Sequence, residues 1–189
     1  MPAARSSSAS PGSTLLIVDM VNPLDFPGAD RLRRQALSML PALARLKQRL
    51  KARGVPIIYV NDNFTHWLSD FRELVAICSQ PDAPGRPLVE AVPPEHDDYL
   101  VLKPKHSAFF ATPLEVLLSQ LGVQRVVVTG IAGDGCVLAT AADAHMRDFE
   151  VVVPSDCCAS ITRARNVRAL RVMRESMRMA TPTGSRVAP

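Results

Sequence analysis

Cys136 lies where an apolar run, Arg125-Val126-Val127-Val128-Thr129, gives way through Gly130-Ile131-Ala132-Gly133-Asp134-Gly135 to a helical stretch over residues 137–148. The first turn of a helix presents unpaired backbone N–H groups and a partial positive charge. A thiol placed there has its pKa lowered, and the same N–H groups can hold an oxyanion. A free cysteine is otherwise a small buried hydrophobe, so its partners decide what it is for. Asp19 directly follows the strongly apolar residues 15–18, and Lys103 closes the run Tyr99-Leu100-Val101-Leu102 in the same way. Taken singly, the aspartate reads as a cap and the lysine as a solvated strand end. Taken with Cys136, they supply a base, a cation and a nucleophile at equivalent ends of three apolar runs.

Positioning them is the task of the elements around them. Five short apolar runs, Leu15-Leu16-Ile17-Val18, Val55-Pro56-Ile57-Ile58-Tyr59-Val60, Tyr99-Leu100-Val101-Leu102, Val126-Val127-Val128 and Val151-Val152-Val153, alternate with longer helical patterns. Runs apolar on both faces suit the interior of a parallel sheet covered by helices. Residues 29–53 carry Leu37, Leu40, Leu43, Ala44, Leu46 and Leu50 near a helical period, and Gly54 stops them. Thr112, Pro113 and Glu115 mark a helix start, with Leu114, Leu117, Leu118 and Leu121 inward and Gly122 at the end. In the last helix, Val167, Leu170, Met173 and Met177 form an inward stripe and leave Arg168, Arg171, Arg174 and Arg178 toward solvent. The alternation predicts an α/β fold, a three-layer doubly wound sandwich on five or six mostly parallel strands. Ligands bind such sheets beyond the carboxyl ends of the strands. Asp19, Asn22, residues 61–63, Lys103 and the loop ending at Cys136 therefore share one crevice.

Composition narrows the function classes. The 189 residues fit one domain, and a hydrophobic content of 47% fills a single sizeable core. Residues 1–13, rich in Ser, Ala and Pro, read as a disordered tail; residues 14–181 read as the domain and 182–189 as a second frayed end. A net charge of +4 is scattered over helix faces, and at 5% aromatic content no basic stretch carries the interleaved rings of a nucleic-acid groove. No nucleic-acid partner is expected. The four cysteines, Cys78, Cys136, Cys157 and Cys158, have no Cys-x-x-Cys spacing, which points to a reducing compartment. No run is long enough for a signal-peptide core or a membrane span, so a cytoplasmic protein without a membrane partner is expected.

The chain resembles the isochorismatase-like cysteine hydrolases, a superfamily that includes nicotinamidases, N-carbamoylsarcosine amidase and ureide-cleaving amidohydrolases. The resemblance spans roughly residues 14–181. Its carriers are Leu15-Leu16-Ile17-Val18-Asp19-Met20, then Lys103-Pro104-Lys105-His106-Ser107-Ala108-Phe109, then Thr129-Gly130-Ile131-Ala132-Gly133-Asp134-Gly135-Cys136-Val137 with Thr140-Ala141-Ala142-Asp143-Ala144, and finally Val153-Pro154-Ser155-Asp156-Cys157-Cys158-Ala159-Ser160. The resemblance implies that Cys136 is the nucleophile, Asp19 the base and Lys103 the cation that favours thiolate. It also implies a cis peptide between Ile131 and Ala132, with the Ala132 and Cys136 N–H groups as an oxyanion hole. An aspartate close to a lysine ordinarily has its pKa lowered, so a basic Asp19 requires partial burial. The implied reaction is acyl transfer from a small amide, carbamoyl or ureide substrate through a thioester, in a homo-oligomer such as a dimer or tetramer.

Several residues depart from or compete with that pattern. Nicotinamidases carry an Asp and histidines after the second strand as metal ligands. Asn61-Asp62-Asn63-Phe64-Thr65-His66-Trp67 offers one aspartate and one histidine, so neither a metal nor another cofactor is expected. Asn63, Phe64 and Trp67 are read as pocket residues instead. Many relatives have Gln two residues after the aspartate where this chain has Val21, which leaves Asn22 and Phe26 to shape specificity. His145 lies nine residues beyond Cys136 on one helix, about 13 Å along its axis, and cannot reach the thiol. Three other readings remain open: a vinyl-ether hydrolase, a phosphate or nucleotide cradle built on Gly130, Gly133 and Gly135, and a redox pair at Cys157-Cys158.

Overall fold

Every residue of β1 (Ser13–Val18) is buried, and its pleat sends Leu15 and Ile17 to one face of the sheet and Leu16 and Val18 to the other. A strand with two apolar faces needs a helical layer on each side. The computed structural model, which describes residues 12–63 and 70–189, supplies both. On one side α1 (Ala29–Lys51) lays Leu32, Ala36, Met39, Leu43, Leu46 and Leu50 over Leu15, Ile17, Ile57 and Val127. Two short helices, α2 (Phe71–Cys78) and α3 (Arg86–Ala91), complete that layer. On the other side α4 (Leu114–Gln120), α5 (Cys136–His145) and α6 (Arg163–Glu175) cover Leu16, Val18, Ile58, Val60, Val126 and Val128.

The remaining strands are β2 (Ile57–Asp62), β3 (Tyr99–Lys103), β4 (Arg125–Ile131), β5 (Glu150–Val152) and β6 (Cys158–Ala159). They run parallel in the order β3-β2-β1-β4-β5, with β6 pairing β4 beyond the end of β5. This is the doubly wound α/β sandwich that the sequence alternation predicts. The chain steps outward from β1 to β3 and then returns to lay β4 on the free edge of β1, so the switch in winding falls between β1 and β4. A crevice forms beyond the carboxyl ends at such a point. Asp19 leaves the end of β1 and Cys136 starts the helix after β4, so the switch point brings them together.

Three expectations change. β3 is an edge strand rather than an interior one, with Tyr99 and Leu100 about two-fifths exposed. A continuous apolar run does not by itself distinguish an edge from the middle of a sheet. Val167 points outward, and Ala169 joins Leu170 and Met173 on the buried face of α6. Residues 182–189 do not fray: Gly184 and Val187 are buried, and the Arg49 guanidinium donates to the carbonyls of both at 2.6 and 3.0 Å.

Candidate active site

Gly130 makes the close approach that the site needs. It has φ +110°, and a β-carbon there would collide with the Val18 carbonyl, so only glycine lets the end of β4 lie this close to the residue before Asp19. Asp19 itself sits at φ 54°, a left-handed conformation that turns the chain out of β1 and is tolerated by aspartate better than by most residues. Asn61 at the end of β2 pins the following turn, its side-chain amide bonding the N–H and the carbonyl of Val21. Lys103 is the last residue of β3 and stands in register with Asp62, the last residue of β2. From two strands away its long side chain reaches back to β1.

The three groups converge. The Lys103 ammonium is 3.0 Å from Asp19 Oδ2 and 3.5 Å from Cys136 Sγ, with the Lys105 carbonyl at 3.1 Å and Asp62 Oδ2 at 3.6 Å. The Asp19 carboxyl also shares a hydrogen bond with the Cys136 thiol and accepts one from the Asp62 N–H at 2.7 Å. Asp19 is 4% exposed and Lys103 fully buried, while Cys136 keeps partial access to solvent. Burial drives the Asp19 carboxyl above the ordinary aspartate range, a rise that Lys103 opposes without cancelling. Burial opposes the charge on Lys103 as well, but the Asp19 carboxylate, the Cys136 sulfur and Asp62 outweigh it and hold the ammonium charged.

The thiol behaves differently from the expectation of a thiolate at rest. Burial first, and then the negative charge of Asp19, push Cys136 up to about 12, against the pull of Lys103. The resting site therefore holds a thiol rather than a thiolate beside the Asp19 carboxyl.

The loop between β4 and α5 is tied down almost everywhere except where a reacting oxygen would sit. Gly130 N–H donates to the Cys157 carbonyl, Gly133 N–H to Ala159, Gly135 N–H to Ala132, and Asp134 N–H to Ser160 Oγ. With those groups engaged, the glycine turn cannot cradle a phosphate. The Ile131–Ala132 peptide is cis. Among the described residues, neither the Ala132 nor the Cys136 N–H makes a hydrogen bond.

A cavity of about 210 Å³ opens onto the thiol, walled by Asp19, Asn22, Phe26, Leu32, Asp62, Ile131, Ala132, Cys136 and Ile161. A larger cleft of about 340 Å³ beside Phe71, Pro94 and Leu100 has no cysteine, serine or threonine among the described residues that line it. Of the residues expected to form the pocket, Asn22 and Phe26 line it. Asn63 does not: it is buried beside the site, its N–H donating to the Lys103 carbonyl at 3.2 Å. Phe64, Trp67 and His66 lie outside the described residues. His106 and His145 are exposed, and Cys157 and Cys158 are buried, so among the described residues neither a histidine base nor an accessible redox pair emerges. Leu32 and Ile161 were not expected in the wall, whereas Asp62 and Ile131 belong to the stretches that the sequence places in the crevice. The pairing of Asp62 with Lys103 follows from strand register, which sequence alone does not give. Among the described residues no His, Cys, Asp or Glu cluster of three could hold a metal ion, and Asp62 faces an ammonium instead.

The family model for the isochorismatase domain matches residues 13–186, nearly the whole of this fold and all of the site. The chain belongs to the isochorismatase family. Its similarity to YaaI, an uncharacterised isochorismatase family protein of Bacillus subtilis, is 38% identity over 84% of this chain and 87% of that one. The ureidoacrylate amidohydrolase RutB of Methylobacterium radiotolerans is 29% identical over 75% of this chain and 65% of its own length. Among solved structures, an isochorismatase family protein from Desulfovibrio vulgaris superposes with a TM-score of 0.75 at 25% identity, covering 92% of this chain and 94% of that one. As an isochorismatase family member, the protein has its helices α1 and α5 on opposite sheet faces and its crevice at the β1–β4 switch point.

Proposed function

We propose that this protein is a cysteine-dependent amidohydrolase that cleaves a small amide, carbamoyl or ureide compound through a thioester on Cys136. The observation that carries this reading is the buried ammonium of Lys103, within 3.0 Å of the Asp19 carboxylate and 3.5 Å of the Cys136 sulfur at the wall of a cavity. The similarity to RutB, described as a ureidoacrylate amidohydrolase, supports the same reaction class.

In the first half-reaction Cys136 Sγ attacks the substrate carbonyl carbon while its proton passes to Asp19, whose carboxyl burial makes more basic than an ordinary aspartate. The carbonyl oxygen becomes an oxyanion held by the Ala132 and Cys136 N–H groups and by the positive end of α5, with Lys103 balancing the developing charge. As the C–N bond breaks, Asp19 returns the proton to the leaving ammonia or amine. In the second half, water attacks the thioester as Asp19 takes its proton, and Asp19 returns that proton to the sulfur as the C–S bond breaks, which releases the acid and restores the Cys136 thiol and the Asp19 carboxylate. Vinyl-ether hydrolysis needs no thiol, so the presence of Cys136 with both partners favours acyl transfer.

A panel of small amides, ureides and carbamoyl compounds scored for ammonia release tests the assignment, with Cys136→Ala as the blank. Turnover of every active compound falls by about 10⁴-fold or more in the variant, while its circular dichroism is unchanged. Unchanged activity in Cys136→Ala ends the proposal.

A further inference from the structure

Residues 104–113, which carry the chain from β3 to α4, form neither helix nor strand, yet one of their carbonyls reaches the site. The Lys103 ammonium has three N–H donors and meets four acceptors between 3.0 and 3.6 Å: the Asp19 and Asp62 carboxylates, the Lys105 carbonyl and the Cys136 sulfur. By taking one donor, the Lys105 carbonyl decides how the others are shared between the carboxylates and the sulfur. Once that carbonyl moves away, the ammonium is drawn toward the carboxylates, because an ionised oxygen is a stronger acceptor than a thiol.

The strand does not hold Lys105 in place, since β3 ends at Lys103. Two bonds to α5 do. Thr140 Oγ1 accepts the Ala108 N–H at 3.0 Å, and the Ser107 hydroxyl donates to the Asp143 carboxylate. Ser107 Oγ also accepts the Phe109 N–H at 3.1 Å, which closes the turn on itself. From the other side, Arg147 holds the same carboxylate, 3.4 Å from Asp143 Oδ1, and lies 4.8 Å over the Phe109 ring. Thr140 is fully buried and Ser107 nearly so. Cys136, Thr140 and Asp143 are spaced four and three residues apart, which puts them on one face of α5. The helix that carries the nucleophile in its first turn therefore carries, in the next two, the anchors of the segment that aims the cation at it.

We infer that Thr140 and Asp143 are positioning residues: through Ala108 and Ser107 they fix the Lys105 carbonyl, and through that carbonyl the distance between the Lys103 ammonium and the Cys136 sulfur. This deepens the proposed amidohydrolase reading and rests on it, because that distance has a use only where the sulfur reacts.

The test times alkylation of Cys136 by iodoacetamide in the intact protein, read by peptide mass spectrometry at one alkaline pH below the thiol's own value. A nearby cation raises the thiolate fraction, and the rate follows that fraction, partly offset by the lower nucleophilicity of a more acidic thiol. Thr140→Val keeps the side-chain shape but removes the acceptor, and it slows labelling by about threefold or more. Thr140→Ser keeps the acceptor at the loss of a methyl group, and its rate stays within about twofold of wild type. Asp143→Ala and Asp143→Asn give the same contrast at a partly exposed position, which keeps it measurable if Thr140→Val unfolds. In Lys103→Met, Thr140→Val and Asp143→Ala change the rate by less than about twofold, as expected of residues that act through the ammonium. Labelling that is unchanged in Thr140→Val and Asp143→Ala overturns the inference, and so does faster labelling, the sign of a loosened segment. Thr140→Ser as slow as Thr140→Val also overturns it, since packing rather than the hydrogen bond is then at work, as does a full effect in Lys103→Met. A substrate panel with no active compound contradicts the amidohydrolase reading and leaves these labelling ratios where they are.

Discussion

Asp19 is held above its ordinary range because burial costs a lone carboxylate more than one lysine returns. A group that works as a base must be deprotonated, so kcat/KM falls as pH drops through the folded-state pKa of Asp19. That acid limb lies above the value near 4 of an ordinary aspartate, and Asp19→Asn is inactive on both sides of it. A pH–rate profile with its acid limb at or below 4 contradicts the assignment of Asp19 as the base. The residue scale is also where sequence reading reached furthest. Asp19, Lys103 and Cys136 each end or follow an apolar run, and that position is visible in the chain. The state of the thiol was not visible, because helix-start geometry predicts a lowered pKa, whereas burial beside Asp19 pushes Cys136 up to about 12.

Among the elements, the junction of β4 and α5 is braced by the segment that follows β6. Asn166 on α6 donates to the Cys158 carbonyl at 3.0 Å, Ser160 Oγ donates to Asn166 Oδ1 at 3.2 Å, and Ser160 in turn accepts the Asp134 N–H. Arg165 closes the same brace on Asp134. Gly133 fits because it has no side chain; a β-carbon there would collide with Asn166 Oδ1. Gly133→Ala therefore displaces the loop that carries the free Ala132 and Cys136 N–H groups. Loss of one oxyanion donor costs about 10²–10³ in kcat, so Gly133→Ala should lower kcat by at least tenfold with a smaller change in KM. Steady-state kinetics on an active compound checks this, and the double variant Gly133→Ala, Asn166→Ala should regain part of the loss by clearing the collision. A wild-type kcat in Gly133→Ala contradicts the brace. The two-residue strand β6 and the partners of Ser160 were illegible in the sequence, since such a short run carries no period to read.

Across the whole molecule, the layer order and the switch point followed from alternating apolar runs and helical periods, while edges and ends did not. β3 is exposed at Tyr99 and Leu100 because an apolar run looks the same at an edge, and the final residues pack because Arg49 and the pocket at Cys157 receive them, not because of their composition. Far from the site, at the other end of β3 from Lys103, the segment before that strand is clamped by buried charge. Lys47, almost fully buried, bonds Asp98 at 3.0 Å and Glu95 at 2.9 Å, and Lys51 bonds Asp98 at 2.6 Å. Removing one partner of a buried pair costs about 3–5 kcal/mol. Asp98→Ala should sit near 3 kcal/mol in urea unfolding, because Glu95 still faces both lysines, and should leave kcat unchanged below the unfolding range. Equal stability to wild type contradicts the clamp. The central claim is that the Cys136 sulfur becomes covalently acylated during turnover. Acid-quenching the protein within a turnover of an active amide and mapping peptides by mass spectrometry tests it most directly. The account predicts a mass increase equal to the acyl group on the Cys136 peptide, absent in Cys136→Ala. Turnover with no adduct on Cys136, retained when that residue is alanine, would contradict it.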